Sequence, residues 1–387
     1  MITTQTARQG PLAGLRVVEV GGVGPAPFCA MLLADLGAEI IRIDRKAPSE
    51  SGLPVDRQYE VMFRSRRSIA LDLKTPEAIE VVTRLIRRSD ILIEGFRPGV
   101  MERLGLSPDA CLALNPKLIY GRMTGWGQSG PLAKAPGHDI NYIALSGALH
   151  AIGSKNGAPE VPLNLVGDFG GGAMYLAFGI MCALHESRSS GKGQVVDAGM
   201  IDGATSLMTM IYGLLAAGYW TDERGSNRLD SGAPFYGVYE TKDARHIALG
   251  SNEARFYKET LKVLGLQNTD LPDQHDKSHW PQLKAIFAEV FKTRTRDEWC
   301  EAFDGTDTCF SPVLSLAEAP GNPHQIARGN FVECGGVVQP APAPKFSRTK
   351  AGTPFPPAKV GEHTVDILKE NSFSDEDIQR LQEAGAI

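Results

Sequence analysis

The sequence is short of several things, and each shortage closes off a class of function. Its six cysteines, at 29, 111, 182, 300, 309 and 334, are scattered and form no CxxC pair, so neither a zinc site nor a redox dithiol is expected. A chain of 387 residues needs no disulfide staples, and buried free thiols are the expectation. No run of 18 apolar residues is present, so no membrane span is expected. The opening MITTQTARQGPLAG lacks the apolar stretch of a secretory signal, and EAGAI is not a peroxisomal address, which makes the cytoplasm the expected location. Positive charge is not in surplus: the formal net charge of −5 argues against a nucleic-acid partner, while leaving room for a local basic patch that binds a small anion. No internal repeat or low-complexity tract interrupts the chain.

What remains is an ordinary globular composition, 42% hydrophobic and 22% charged, at a length that suits two domains. LRVVEV (15–20) is an apolar run between glycines and reads as a buried strand. A helix, PFCAMLLADLGA, follows with Gly37 as its stop, and EIIRID (39–44) is the next strand. With SIALDL (68–73), ILIE (91–94), LIYGRM (118–123) and a helix over Pro76–Arg88, the pattern predicts a parallel sheet with helices on its faces. Residues 189–220 read as a Gly-rich hairpin or strand followed by an apolar helix, and 220–232 as a linker. Period-2 alternation over 234–251 predicts a hairpin, and helical patterns follow from Glu253 and over 281–292 and 296–304. The Pro-rich stretch 331–363 reads as extended, and a short amphipathic helix, Asp375–Ala384, closes the chain. The fold class is therefore α/β. Residues 1–220 form the first part of a Rossmann-like large domain, 225–320 a smaller α+β domain, and 321–387 a segment returning to the large one.

The chemistry concentrates between Ile119 and Phe169. Two polar groups that can move protons lie there: His138 in Gly137-His138-Asp139-Ile140-Asn141-Tyr142, and Asp168 before Phe169-Gly170-Gly171-Gly172. A helix starting at Asp168 would make that residue its N-cap, and the three glycines would admit another backbone or a ligand. The turn Gly21-Gly22-Val23-Gly24 after the first strand lacks GxGxxG spacing and is not read as a dinucleotide site. Arg42, Arg45, Lys46, Arg64, Arg66, Arg67, Lys74, Arg97 and Arg103 mostly flank predicted strands. They are either a solvated rim or a set of phosphate ligands at the sheet's edge.

Taken together, PLAGLRVVEV, DLGAEIIRIDR, SIALDLK, EGFRPGVMERLGL and NPKLIYGRMTGWGQSGP resemble the family III CoA-transferase fold group over nearly the whole chain. GHDINYIALSGALHAIG with NLVGDFGGG resembles its α-methylacyl-CoA racemase branch. The resemblance implies His138 and Asp168 as catalytic residues, 30 positions apart, and Glu253 as the partner of the histidine. The Glu253 segment, SNEARF, departs from the more usual pattern around that glutamate. Arg45, Leu71, Lys74, Gly95, Phe96, Arg97 and Arg103 match CoA-contacting positions, Gly95 standing where Asn is more common; Gly137, Asp139 and Tyr142 complete the implied binding set. The resemblance also implies an interlocked homodimer, with Glu253 supplied by the second subunit, an acyl-CoA thioester as substrate, and no separate cofactor or metal.

The implied reaction makes chemical sense of these residue types. Racemising a carbon next to a thioester removes its proton and returns one to the opposite face, so two groups must each serve as acid and base. A histidine, with an ordinary pKa of roughly 6.5, holds either state near neutrality. A carboxylate matches it if burial raises its pKa. The enolate needs hydrogen-bond donors, which amides at Gly137–Asp139 or Gly170–Gly172 could supply. Met200, Met208 and Met210 are open to two roles, an acyl-chain surface or core packing. The reading is thus a racemase acting on 2-methylacyl-CoA. The alternatives are CoA transfer between carboxylic acids with Asp168 as nucleophile, or a CoA-thioester binder without activity.

Overall fold

Short, β-branched apolar runs build the centre of the molecule. The structure, a computed structural model, describes residues 8–46 and 55–387. Six strands form one sheet: β1 (Arg16–Val20), β2 (Glu39–Asp44), β3 (Arg67–Ala70), β4 (Ile91–Glu94), β5 (Ile119–Thr124) and β6 (Gln194–Gly199). Their order is β3-β2-β1-β4-β5-β6 and every pairing is parallel. β6 settles the reading of 189–220: it is a strand, added parallel to β5, and no hairpin forms there. Val17, Val18, Val20 and the apolar residues of β2 and β4 are buried on both faces, as a sheet covered by helices on each side requires.

Helix α1 (Pro25–Asp35) and helix α2 (Pro76–Ile86) supply opposite covers, since their buried residues fall in separate core clusters. In α2 the Thr75 side chain caps the Ala78 N–H, Pro76 takes the first turn, and Ala78, Val81, Val82, Leu85 and Ile86 form the buried stripe. Truncating a fully buried Leu85 to alanine is expected to cost about 2–5 kcal/mol.

Three further helices shape the site. Helix α3 is Asp139–Leu145. Helix α4 runs from Leu165 to Ser190; its first part, Leu165–Met174, is wound in wide π turns and the rest is α-helical. Helix α5 is Met200–Leu207. The glycines of α4 answer the question the sequence left open. A Cβ on Gly171 would sit 2.6 Å from Ala204 N, and one on Gly203 only 1.8 Å from Gly171 O, so it is the α5 backbone that approaches. Asp168 is not the N-cap; that position belongs to Asn164, and Asp168 lies inside the first wide turn. By length and composition the 26-residue run Leu165–Ser190 is apolar enough to cross a membrane. One face of it, with Ala173, Leu176, Ile180, Ala183 and Leu184, packs into the core cluster on β4 and β5.

The chain divides into two units, the first comprising Met1–Ser146, Leu163–Leu207 and Ile326–Ile387, the second Gly147–Pro162 and Met208–Gln325. The second unit holds an antiparallel sheet of β7 (Tyr236–Glu240), β8 (His246–Gly250) and β9 (Phe310–Pro312), packed on an aromatic core around Phe235, Phe287, Phe291 and Trp299. In the Pro-rich segment 331–363, expected to be extended throughout, β10 (Phe331–Cys334) and β11 (Val337–Pro340) form a hairpin. All six cysteines are free, but only Cys29, Cys111 and Cys334 are buried; Cys182 and Cys309 are exposed, against expectation.

Candidate active site

The strand order reverses direction between β1 and β4, and in an open parallel sheet the loops leaving such strands diverge and open a crevice at their carboxyl ends. A pocket of about 330 Å³ lies there. Val23, Gly24 and Pro25 line it after β1, Gly95 to Pro98 after β4, and Met123 to Trp126 at the end of β5. His138, Tyr142 and Asp168 complete the wall, so the histidine and the aspartate share one cavity within the first unit.

His138 stands just before α3 and is exposed toward the pocket; its backbone N–H donates to Asn141 Oδ1 at 3.0 Å, which fixes the entry into the helix. Asp168 is half-buried. Burial raises its pKa above the ordinary aspartate value, and the neighbouring Asp139 charge pushes the same way. Asn164 Nδ2, donating to Asp168 Oδ2 at 3.1 Å, and the nearby His138 oppose the rise without cancelling it. Gly24 reaches the same carboxylate: a Cβ there would lie 3.1 Å from Asp168 Oδ2, and its φ of +66 disfavours a side chain in any case.

The Asp139 carboxylate turns away from solvent. Its Oδ2 accepts the N–H groups of Gly167 and Asp168, both at 2.7 Å. Tyr142 packs edge-on against Trp126, with ring centroids 4.8 Å apart. Burial, with the Asp168 charge, pushes its hydroxyl up to about 12, so it stays neutral. A Cβ on Gly137 would lie 2.8 Å from the Tyr142 ring and one on Gly125 only 2.2 Å, which is why glycine flanks this ring twice. Beneath the β4 loop, Glu94 accepts the Phe96 N–H at 2.7 Å and pairs with Arg122, which also reaches Glu102. That network holds Gly95, Phe96 and Arg97 at the rim.

The basic residues separate into two groups. Arg42, Arg64, Arg66 and Arg67 are not phosphate ligands in waiting: each is buried and paired, Arg42 with Glu19 and Asp44, Arg66 with Glu19, Arg64 with Asp35, and Arg67 with Glu39 and Glu370. Lys46 is spent on the carbonyls of Gly385 and Ile387. Arg45, Lys74, Arg97 and Arg103 are exposed and enter no ion pair among the described residues. Leu71 is 1% exposed and packed in the core, so its side chain is not open to a ligand. Gly95 is crowded, with a Cβ placed 3.1 Å from Ala26 Cβ. The amides of Gly170–Gly172 fall within the ladder of α4 and the His138 N–H is taken by Asn141 Oδ1, so of the expected enolate donors the amides of Gly137 and Asp139 remain as candidates. Met200 lines the pocket, whereas Met208 and Met210 belong to the second unit. Glu253 also belongs to the second unit, where it is exposed at the N-cap of Ala254–Val263.

Sequence reasoning passed over Gly24, Thr124, Trp126 and Asn164. Asn164 had a visible signal, since it sits four residues before Asp168 in a helical stretch. Gly24 lay in a turn set aside only because it is not a dinucleotide motif.

Residues 12–364 match the family described as CoA-transferase family III. The chain is 46% identical to mouse alpha-methylacyl-CoA racemase over 375 residues, covering 96% of each chain, and 45% identical to the human protein of that name over 374 residues, again covering 96% of each. The crystal structure of a CAIB/BAIF family protein from Brucella suis shares the fold at a TM-score of 0.83 and 24% identity, covering 94% of this chain and all of that one. A parallel six-stranded α/β sheet with its pocket at the β1–β4 divide, and a match spanning nearly its full length, lead to one conclusion: the chain belongs to CoA-transferase family III.

Proposed function

We propose that the protein is a racemase that interconverts (2R)- and (2S)-2-methylacyl-CoA thioesters. The observation that carries this reading is the pairing, in one pocket, of an exposed histidine with an aspartate whose pKa is raised and which, among the described residues, has no arginine or lysine bonded to it. Similarity to the mouse and human racemases supports the substrate class. His138 and Asp168 act as the two acid–base groups, each taking the α-proton of one epimer and delivering a proton in the other direction. A raised pKa lets Asp168 keep a proton long enough to act as acid. The enolate oxygen is met by the backbone N–H of Gly137 or Asp139, since that of His138 is taken by Asn141 Oδ1. Bond order is restored at the end of each turnover and no electrons are exchanged with a partner, so the chemistry calls for no redox cofactor.

The CoA moiety enters past Arg97, which lines the pocket, with the exposed Arg45, Lys74 and Arg103 as further positive charge for its phosphates. The working form is a homodimer in which Glu253 of a second copy reaches the histidine. Exposed apolar side chains support an association: Leu165, Met174 and Phe178 on α4, the last 70% exposed, and Tyr212 and Tyr219 in the second unit.

The test is incubation with one epimer of a 2-methylacyl-CoA in D2O. Deuterium at the α-carbon together with loss of optical purity is the expected result. No exchange, with CoA moving instead to an added carboxylic acid, would recast Asp168 as the nucleophile of a transferase.

A further inference from the structure

We infer that Asp139 is a positioning residue: its carboxylate clamps the first turn of α4 to the residue that follows the histidine, and so sets where Asp168 stands relative to His138. The inference rests on the racemase reading of the pocket and deepens it.

The geometry is specific. A helix leaves the N–H groups of its first turn without intrahelical partners, and a charged oxygen is the strongest acceptor for them. Here that acceptor comes from another helix. Asp139 Oδ2 takes the amides of Gly167 and Asp168 at 2.7 Å each, and Asp139 is only 6% exposed. His138 is its covalent neighbour, so one side chain connects the two proton-moving residues through a short, rigid path. Gly167 belongs to the same device: a Cβ at that position would lie 2.6 Å from Asp139 Oδ2 and 2.9 Å from its Cγ, so only glycine leaves the clamp intact. Asp139 Oδ1 is buried and has no hydrogen-bond partner among the described residues. An acceptor left unmade in this way costs stability, and the fold tolerates it at a place where position and charge matter more.

The clamp also carries charge. The groups facing Asp168 are Asn164 from its own helix, His138, Asp139 and Tyr142 from the start of α3, and the Gly24 turn, with Arg97 acting on Tyr142 from the β4 loop. Asp139 is the carboxylate among them, and its removal lowers the pH at which Asp168 ionises.

Two variants separate position from charge. Asp139→Asn keeps an acceptor oxygen and loses the charge; Gly167→Ala keeps both carboxylates and forces the clamp apart. Each is expected to lower kcat for epimerisation by about 10–100-fold, the cost of slight misplacement at a reacting centre. KM should stay within about threefold, because the Asp139 carboxylate, against its place in the implied binding set, faces the α4 amides and does not line the pocket. The acid limb due to Asp168 should move to lower pH in Asp139→Asn. Infrared titration of 13C-labelled aspartate, assigned by subtraction of Asp168→Asn, should show the same downward shift without substrate. A kcat within about threefold of the parent in both variants would overturn the inference, as would a raised KM at unchanged kcat, which would make Asp139 a substrate contact. A downward infrared shift in a protein whose parent shows no α-proton exchange would instead sink the racemase reading and leave the positioning role standing. If Asp139→Asn does not fold, Gly167→Ala decides alone: unchanged kcat contradicts the clamp.

Discussion

Three carboxylates near the carboxyl edge of the parallel sheet have been given opposite tasks. Glu19, in β1, is fully buried and held by both Arg42 and Arg66. Glu94, at the end of β4, is equally buried and paired with Arg122. Asp168, which lines the pocket from α4, has an amide from Asn164, a like charge in Asp139, and a histidine nearby. In the first two each carboxylate oxygen is met by a guanidinium or an amide and they act as scaffold, although burial raises the pKa of Glu94 as well. The third is under-compensated: no guanidinium bonds to it among the described residues, and burial with the Asp139 charge raises its pKa within the pocket. A buried carboxylate marks chemistry here by what it lacks.

The contrast can be broken at either end. Asp168→Asn and His138→Ala are expected to lower epimerisation by about 10²–10⁴-fold while leaving the far-UV and thermal signatures of the fold in place. Glu19→Gln should do the reverse: leaving Arg42 and Arg66 buried without their shared partner is expected to cost about 3–5 kcal/mol, seen as a lower Tm, with activity lost only as the protein unfolds. Their pH behaviour should also diverge. Because the pKa of Asp168 is raised by folding, its protonated form stabilises the fold below the ordinary value of 3.8, and that contribution is lost as pH rises through the raised value. Asp168→Asn removes this loss, so at neutral pH it should melt no lower than the parent; a clear drop in Tm would show that Asp168 is structural. Gly203→Ala sharpens the comparison at the α4–α5 contact. Overpacking against Gly171 O is expected to cost about 1–3 kcal/mol and to lower kcat by disturbing the wide turns that carry Asp168. The smallest effect belongs to the exposed cations: Arg97→Ala or Arg103→Ala should raise KM about three- to tenfold with kcat nearly unchanged.

Much of the frame was legible in local sequence. EIIRID and ILIE became strands with the expected ends, because a short apolar run between turn residues has few other uses in a sheet covered on both faces. The hairpin over 234–251 announced itself by period-2 alternation. Other features were not local. Nothing in the run Arg64-Ser65-Arg66-Arg67 tells that three arginines point inward, because their partners Asp35, Glu19, Glu39 and Glu370 are brought to them only by the fold. β6 stayed open between a hairpin and a strand because QVVDAG is exposed along much of its length and carries a weak apolar signal at the sheet's edge. β10 and β11 were hidden by the prolines around them. At the site, His138 and Asp168 were readable through resemblance, but the clamp from Asp139 was not, since it depends on two backbone amides 28 and 29 residues away.

The most direct test of the under-compensated pair is epimer-resolved exchange in D2O with single variants. If His138 and Asp168 are the two bases, Asp168→Asn should exchange the α-proton of one epimer with retention of configuration and leave the other untouched, while His138→Ala should show the opposite preference. Equal loss of exchange for both epimers in both variants, or continued inversion in either, would contradict the assignment of one proton-moving face to each residue.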